Sequence, residues 1–229
     1  MDSSSAGPAQ TASVSKVAVW DLPTRLFHWL TALLVLTAYV SWRADLMDWH
    51  VRAGEAALAL VIFRLLWGFA GSDTARFSRF VKTPRLALQH LAHVFRREPD
   101  RQAGHNPAGG LMVLVLLALL VGETLSGLYV QNDVADHGHL TDVVPARIAN
   151  AISAAHWLIW DALLAAIALH VLAIAIYGVI KGHNLVAPMI SGWKRLPADV
   201  PQPHITSAWR AAVLLCVSAL LTAALATLI

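Results

Sequence analysis

The stretch HWLIWDALLAAIALHVLAIAIYG, running from His156 to Gly178, decides the fold. Between its two histidines the only charged residue is Asp161. A run this apolar, rich in Leu and Ala, has no water to satisfy its backbone at membrane depth and must be helical. His156 and His170 are fourteen residues apart, which on a helix is about 21 Å of rise with a residual rotation of only about 40°. Both imidazoles therefore leave one helix face, one toward each side of a bilayer. One cofactor cannot use both.

The rest of the 229-residue chain agrees with a membrane reading. It is 57% hydrophobic and 14% charged, against about 25% charge in a soluble domain. Five stretches are long enough to span: Leu26–Trp42, Gly54–Ala70, Ala108–Val130, Ala151–Ile180 and Ala208–Ile229. The expected class is an all-α membrane protein. The single cysteine, Cys216, excludes a disulfide framework, an iron–sulfur cluster, a thiolate zinc site and covalent c-type haem attachment. The net charge of +3 comes from basic residues in loops between apolar runs, so the partner it indicates is membrane lipid and not nucleic acid.

Residues 1–16 are small and polar with no apolar segment of their own, and are expected to be a disordered tail before an uncleaved signal anchor. Thirteen of the seventeen Lys and Arg residues fall in the N-terminal segment, the second loop and the connection between spans four and five. By the positive-inside rule the N-terminus is cytoplasmic and the C-terminus periplasmic. In the second loop, Thr83-Pro84 opens a short interfacial helix with Leu86, Leu91, Val94 and Phe95 at helical spacing. Residues 17–195 then form the transmembrane domain, 196–207 a Pro-rich linker and 208–229 a final helix.

Histidines within or beside spans tend to mark function. His28 begins span one on the inner side and His50 begins span two on the outer side, while span four carries His156 outside and His170 inside. Topology allows one pairing: His28 with His170, and His50 with His156. Two bis-histidine sites stacked in an apolar bundle are what two b-type haems need. With both axial positions filled by protein, the natural task is electron transfer. A zinc or copper site is less attractive, since each cluster offers two histidines and no thiolate.

The segments VWDLPTRLFHWL (Val19–Leu30), WHVRAGEAALALVIFRLLWGFAGS (Trp49–Ser72), GHNPAGGLMVLVLLALL (Gly104–Leu120) and the stretch from His156 to Gly192 resemble the bacterial cytochrome b561 family, including cytochrome b subunits of nickel–iron hydrogenases. The resemblance implies a four-helix di-haem core passing electrons between a redox partner and the quinone pool, with His28, His50, His156 and His170 as axial ligands. It also implies a bacterial inner membrane, ubiquinone or menaquinone as lipid-phase substrate, and a soluble cytochrome, hydrogenase or dehydrogenase as partner. The chain departs from the family in a fifth span, Ala208–Ile229, read as an extra anchor or alternatively as a docking or homodimerisation element.

Arg64 lies fourteen residues beyond His50, at the depth of the inner pair. It reads as a counter-charge for a haem propionate, or as a side chain snorkelling to the headgroups. Glu123, toward the outer side, is either a proton carrier or a carboxylic acid hydrogen-bonded within the bundle; Asp161 has the same readings but points away from His156. His137 and His139 read as solvated loop residues, His90 and His93 as headgroup-level polar residues. His105 and His183 carry a weak signal for a role beside a cofactor. Trp20, Trp29, Trp42, Trp49, Trp67 and Trp157 mostly mark span ends as an aromatic belt.

The expected function is therefore respiratory electron transport by a membrane di-haem cytochrome, with turnover as a quinone-linked oxidoreductase left open. Two rival classes remain at the level of residues. One is a metal-ion or proton transporter using the histidines and Glu123. The other is a haem-free anchor subunit.

Overall fold

The computed structural model describes residues 13–92, 96, 99–130 and 145–227. In chain order its elements are β1 (Val14–Ala18), α1 (Leu22–Arg43), α2 (Met47–Ala70), α3 (Phe77–Phe80), α4 (Pro84–Ala92), α5 (Pro107–Gly127), α6 (Ala146–Ile176), α7 (Val186–Ser191), β2 (Trp193–Pro197) and α8 (Ala208–Thr227). The helix starts follow local chemistry. Asp21 caps α1, its Oδ1 accepting from Thr24 N at 2.7 Å, with Pro23 in the first turn; Asn106 caps α5 from Gly109 N at 2.7 Å, with Pro107 behind it. α6 runs on into a π-helical turn, Tyr177–Lys181, and stops at Gly182, whose φ of 71° is open to glycine at little cost.

Among the described residues four helices are long and apolar enough to cross a membrane: Met47–Ala70, Pro107–Gly127, Ala146–Lys181 and Ala208–Ala226. The chain is thus a bundle of membrane-type helices. α1 was expected to be a fifth such span, and it does not qualify by composition. Its 22 residues include Arg25, His28, Arg43 and a series of hydroxyls, and its buried positions are Thr24, Thr31 and Ser41. The polar side of α1 is turned inward.

Packing proceeds from neighbour to neighbour: α1 on α2, α2 on α5 and α8, α5 on α6. A central core of Val61, Leu117, Leu120 and Leu163 joins α2, α5 and α6. A second, Phe63, Trp67, Ala75 and Ala211, fastens α8 to α2. α1 and α6 face one another through rings: His28 with His170, Tyr39 stacked on Trp160 at 5.5 Å, and Trp42 against Trp157 at 5.2 Å.

Sequence periodicity gave no sign of the small sheet. β1 pairs antiparallel with β2, from Val14↔Pro197 to Ala18↔Trp193. Val14, Ser15 and Lys16 therefore belong to a strand and not to the expected tail, whose first twelve residues lie outside the described ones. The sheet has its own core of Val17, Val19 and Leu196. Gly192, at a φ of 87°, turns the chain into β2, and its carbonyl accepts from Val19 N and Trp20 N. Any Cβ at Gly192 would stand 2.8 Å from the Trp20 carbonyl oxygen. Lys194–Asp100 and Arg101–Asp199 ion pairs tie the segment before α5 to β2 and to the turn after it. The sheet thus caps the end of the bundle where α1 begins and α6 ends.

The short helix after Thr83-Pro84 is present as α4, although Val94 and Phe95 lie outside the described residues. Trp67 departs from the aromatic-belt reading. It is fully buried, and its indole Nε1 donates to Asp21 Oδ2 at 3.1 Å.

Candidate functional site

The four histidines come together in twos. The ring centres of His28 (α1) and His170 (α6) are 6.3 Å apart, and those of His50 (α2) and His156 (α6) are 6.4 Å apart. An imidazole nitrogen binds a transition metal at about 2 Å and its ring centre stands roughly 1 Å behind, so two rings on opposite sides of one metal have centres about 6 Å apart. Both pairs have that spacing. His28 is not brought to His50, nor His156 to His170.

At the outer pair the hydrogen bonds orient both rings. His50 Nδ1 lies 2.9 Å from the Ala38 carbonyl, which only accepts, so Nδ1 carries the proton and Nε2 is left unprotonated, as a metal ligand needs. His156 Nδ1 lies 2.9 Å from Ser126 Oγ, which is itself 3.1 Å from the Glu123 carbonyl, so the hydroxyl holds the ring in place. Around them is a cavity of about 400 Å³, lined among others by Tyr39, Trp42, Glu123, Trp160 and Leu163. That lies within the usual 300–1,000 Å³ of cofactor pockets. Glu123 Oε1 is 3.3 Å from His156 Nε2, and Oε2 has no hydrogen-bond partner among the described residues. Asp161 is on the exposed face of α6.

The inner pair is enclosed differently. His28 Nδ1 is buried without a hydrogen-bond partner among the described residues. Arg64, on α2, is only 3% exposed, so it does not snorkel. Its guanidinium lies over Phe77 at 5.1 Å and Phe80 at 5.9 Å. His105, in the segment before α5, sits between Trp20 at 4.6 Å and Phe80 at 4.7 Å. Desolvation, then the charge of Arg64 and the neighbouring His170 and His28, push its imidazole down to about 3.

Sequence reasoning gave His105 little weight, because its surroundings are assembled from β1's far end, α3 and α2. The motif signal was only the His-Asn-Pro string, whose asparagine caps α5. His90 also differs from expectation: its Nε2 is 2.8 Å from Tyr177 Oη, which in turn accepts from Asn106 Nδ2 at 3.0 Å. His183 Nδ1 lies 3.8 Å from Asp100. His93, His137 and His139 lie outside the described residues.

The model of the prokaryotic cytochrome b561 family matches residues 19–192. A probable Ni/Fe-hydrogenase B-type cytochrome subunit of Azotobacter chroococcum mcd 1 is 25% identical over 231 residues, covering 85% of this chain and 95% of that protein. The corresponding protein of Azotobacter vinelandii is 24% identical over 228 residues, with the same coverage of each. No solved structure matches. α8 lies beyond the matched stretch, whereas all four histidines and both facing pairs fall inside it. With most of its length so matched, the chain belongs to the prokaryotic cytochrome b561 family.

Proposed function

We propose that the protein is a di-haem b-type cytochrome of a bacterial inner membrane that carries electrons between a redox partner and the quinone pool. The carrying observation is the pair of imidazole couples with ring centres 6.3 and 6.4 Å apart on separate helices. A haem b at each couple supplies reversible one-electron chemistry. His28 and His170 would hold one, His50 and His156 the other. With two protein nitrogens available to hold each iron, the site would serve transfer and not the binding of oxygen or substrate at iron. Ala38 fixes the His50 tautomer, Ser126 orients His156, the apolar walls exclude water, and Arg64 supplies positive charge that acts on His105.

In this reading α1 crosses the bilayer with the four more apolar helices, carrying His28 inside the bundle. The N-terminus and the β1–β2 sheet face the cytoplasm and α8 ends at the periplasm. Ubiquinone or menaquinone is the lipid-phase substrate. Both Azotobacter relatives carry the name of a hydrogenase cytochrome subunit, which favours a hydrogenase-type redox subunit as the other partner. α8 is an added anchor, with a homodimer as the alternative use of its outer face. The transporter alternative asks for a larger ligand set, and among the described residues no group of three or more His, Cys, Asp or Glu side chains is placed to hold a metal ion.

The test is the oxidised and dithionite-reduced absorption spectrum of the purified chain with haem quantified. Two b-type haems per chain are expected, one would remove one of the couples, and none would discard the reading. A narrower expectation concerns Ser126. Ser126→Ala removes the hydroxyl that orients His156, and outer-haem affinity should fall about 10–100-fold, measured by haem titration of the full chain. An unchanged affinity would show that the Ser126 contact does not orient the ligand.

A further inference from the structure

Arg64 is a buried cation whose nearest acid is already occupied. Asp21 gives Oδ1 to Thr24 N and Oδ2 to Trp67 Nε1, and no carboxylate among the described residues lies within ion-pair distance of the guanidinium. Arg64 Nη1 has no hydrogen-bond partner among the described residues, and neither has His105 Nδ1. The Phe80 ring borders both side chains, 5.9 Å from one and 4.7 Å from the other. The charge of Arg64, and the rings of His28 and His170, all act on His105. Two buried nitrogens without partners thus border one aromatic ring, and His105 is near both Arg64 and the inner couple. A buried cation without a counter-charge is costly, so an anion entering beside these groups would be stabilised.

We propose that Arg64 and His105 together form an oxyanion seat that takes a propionate carboxylate of the inner haem, with His105 as a binding residue in its own right. The proposal rests on the bis-histidine reading above. The chemistry suits the ligand: guanidinium donates in a planar fork and Nδ1–H of one imidazole tautomer adds a donor, an arrangement selective for carboxylate or phosphate oxygens. The carboxylate has a nearby source, since the couple that would grip the iron lies within electrostatic reach of His105, on which Arg64 also acts. A phospholipid phosphate is the other oxyanion available at this level of the bundle.

The test uses the full chain carrying His50→Ala, so that only the inner couple is intact, produced without haem and titrated in neutral detergent with haem b or its dimethyl ester. Charge-assisted hydrogen bonds of ordinary strength predict at least about a tenfold preference for haem b. Arg64→Met and His105→Phe should each bring that preference toward unity, while Arg64→Lys and His105→Gln, which keep a donor, should restore part of it. The Arg64→Met apoprotein should unfold no more readily than the parent, because an unpaired buried charge is gone.

Equal affinity for acid and ester in the parent chain overturns the seat and needs no variant that must fold. A preference that survives both Arg64→Met and His105→Phe overturns it also. If esterification has no effect while Arg64→Met releases a bound anionic phospholipid seen by native mass spectrometry, the oxyanion is a headgroup phosphate and the proposal fails. A parent chain that takes up neither form refutes the haem reading instead.

Discussion

Replacing His170 with alanine is expected to leave the protein with one haem per chain instead of two. Among the described residues no third ring faces the inner couple: His105 is held between Trp20 and Phe80, and its ring is not one of those facing His28. Removing either member therefore leaves one protein bond to the metal and an opening where the other ring stood. The outer couple, with its ligands held by Ala38 and Ser126, should be untouched. His28→Ala should give the same spectrum as His170→Ala, and His50→Ala the same as His156→Ala. Added imidazole should restore part of the lost haem by filling the opening. The measurement is a pyridine haemochrome count with a potentiometric titration of what remains. Loss of the same haem from His28→Ala and His50→Ala would break the pairing.

The largest loss of stability is expected from Trp67→Ala, at about 3–5 kcal/mol. Trp67 is fully buried, stacks on Phe63 at 5.9 Å and packs with Ala75 and Ala211, so it holds α2, the turn after it and α8 together. Its indole N–H also satisfies the Asp21 carboxylate that caps α1. Between helices in lipid, close packing and hydrogen bonds supply what hydrophobic burial supplies in water, and Trp67 provides both. Trp67→Phe separates the two contributions: it keeps the ring and drops the donor, at a cost of about 1–3 kcal/mol. Denaturant titration of the purified protein in detergent reads both. A Trp67→Ala variant as stable as the parent would show that α8 and the α1 cap do not depend on this side chain.

What the amino-acid sequence conveyed well was periodic or local. His156 and His170 share a helix, so their spacing could be converted to height and face, and loop charges then paired them with histidines on other spans. The structure sets those pairs at metal-bridging distance. The start of α4 at Thr83-Pro84 was similarly open to reading, since a cap or a proline acts within one turn. What escaped was made by distant segments meeting. Neither VSKVA nor WKRLP is long enough to announce a strand, and each becomes one only against the other. Trp67 sits at a span end like several other tryptophans, and Asp21, Ala75 and Ala211, brought up from other segments, make it an interior residue. His105 gains its enclosure from three separate elements. α1 was read as simply apolar because a count over the whole stretch hides the inward stripe of Thr24, Thr31 and Ser41.

The β1–β2 pairing bears on how the molecule is made. Translation delivers β1 first, yet its partner strand emerges only after α6 and α7 have been synthesised. Until then the leading end of α1 is tied to the segment after α6 through α7, where Arg25 and Trp29 donate to the Ile190 and Met189 carbonyls. The sheet is therefore among the last parts of this end of the bundle to form, after both helices that carry His28 and His170 have been made.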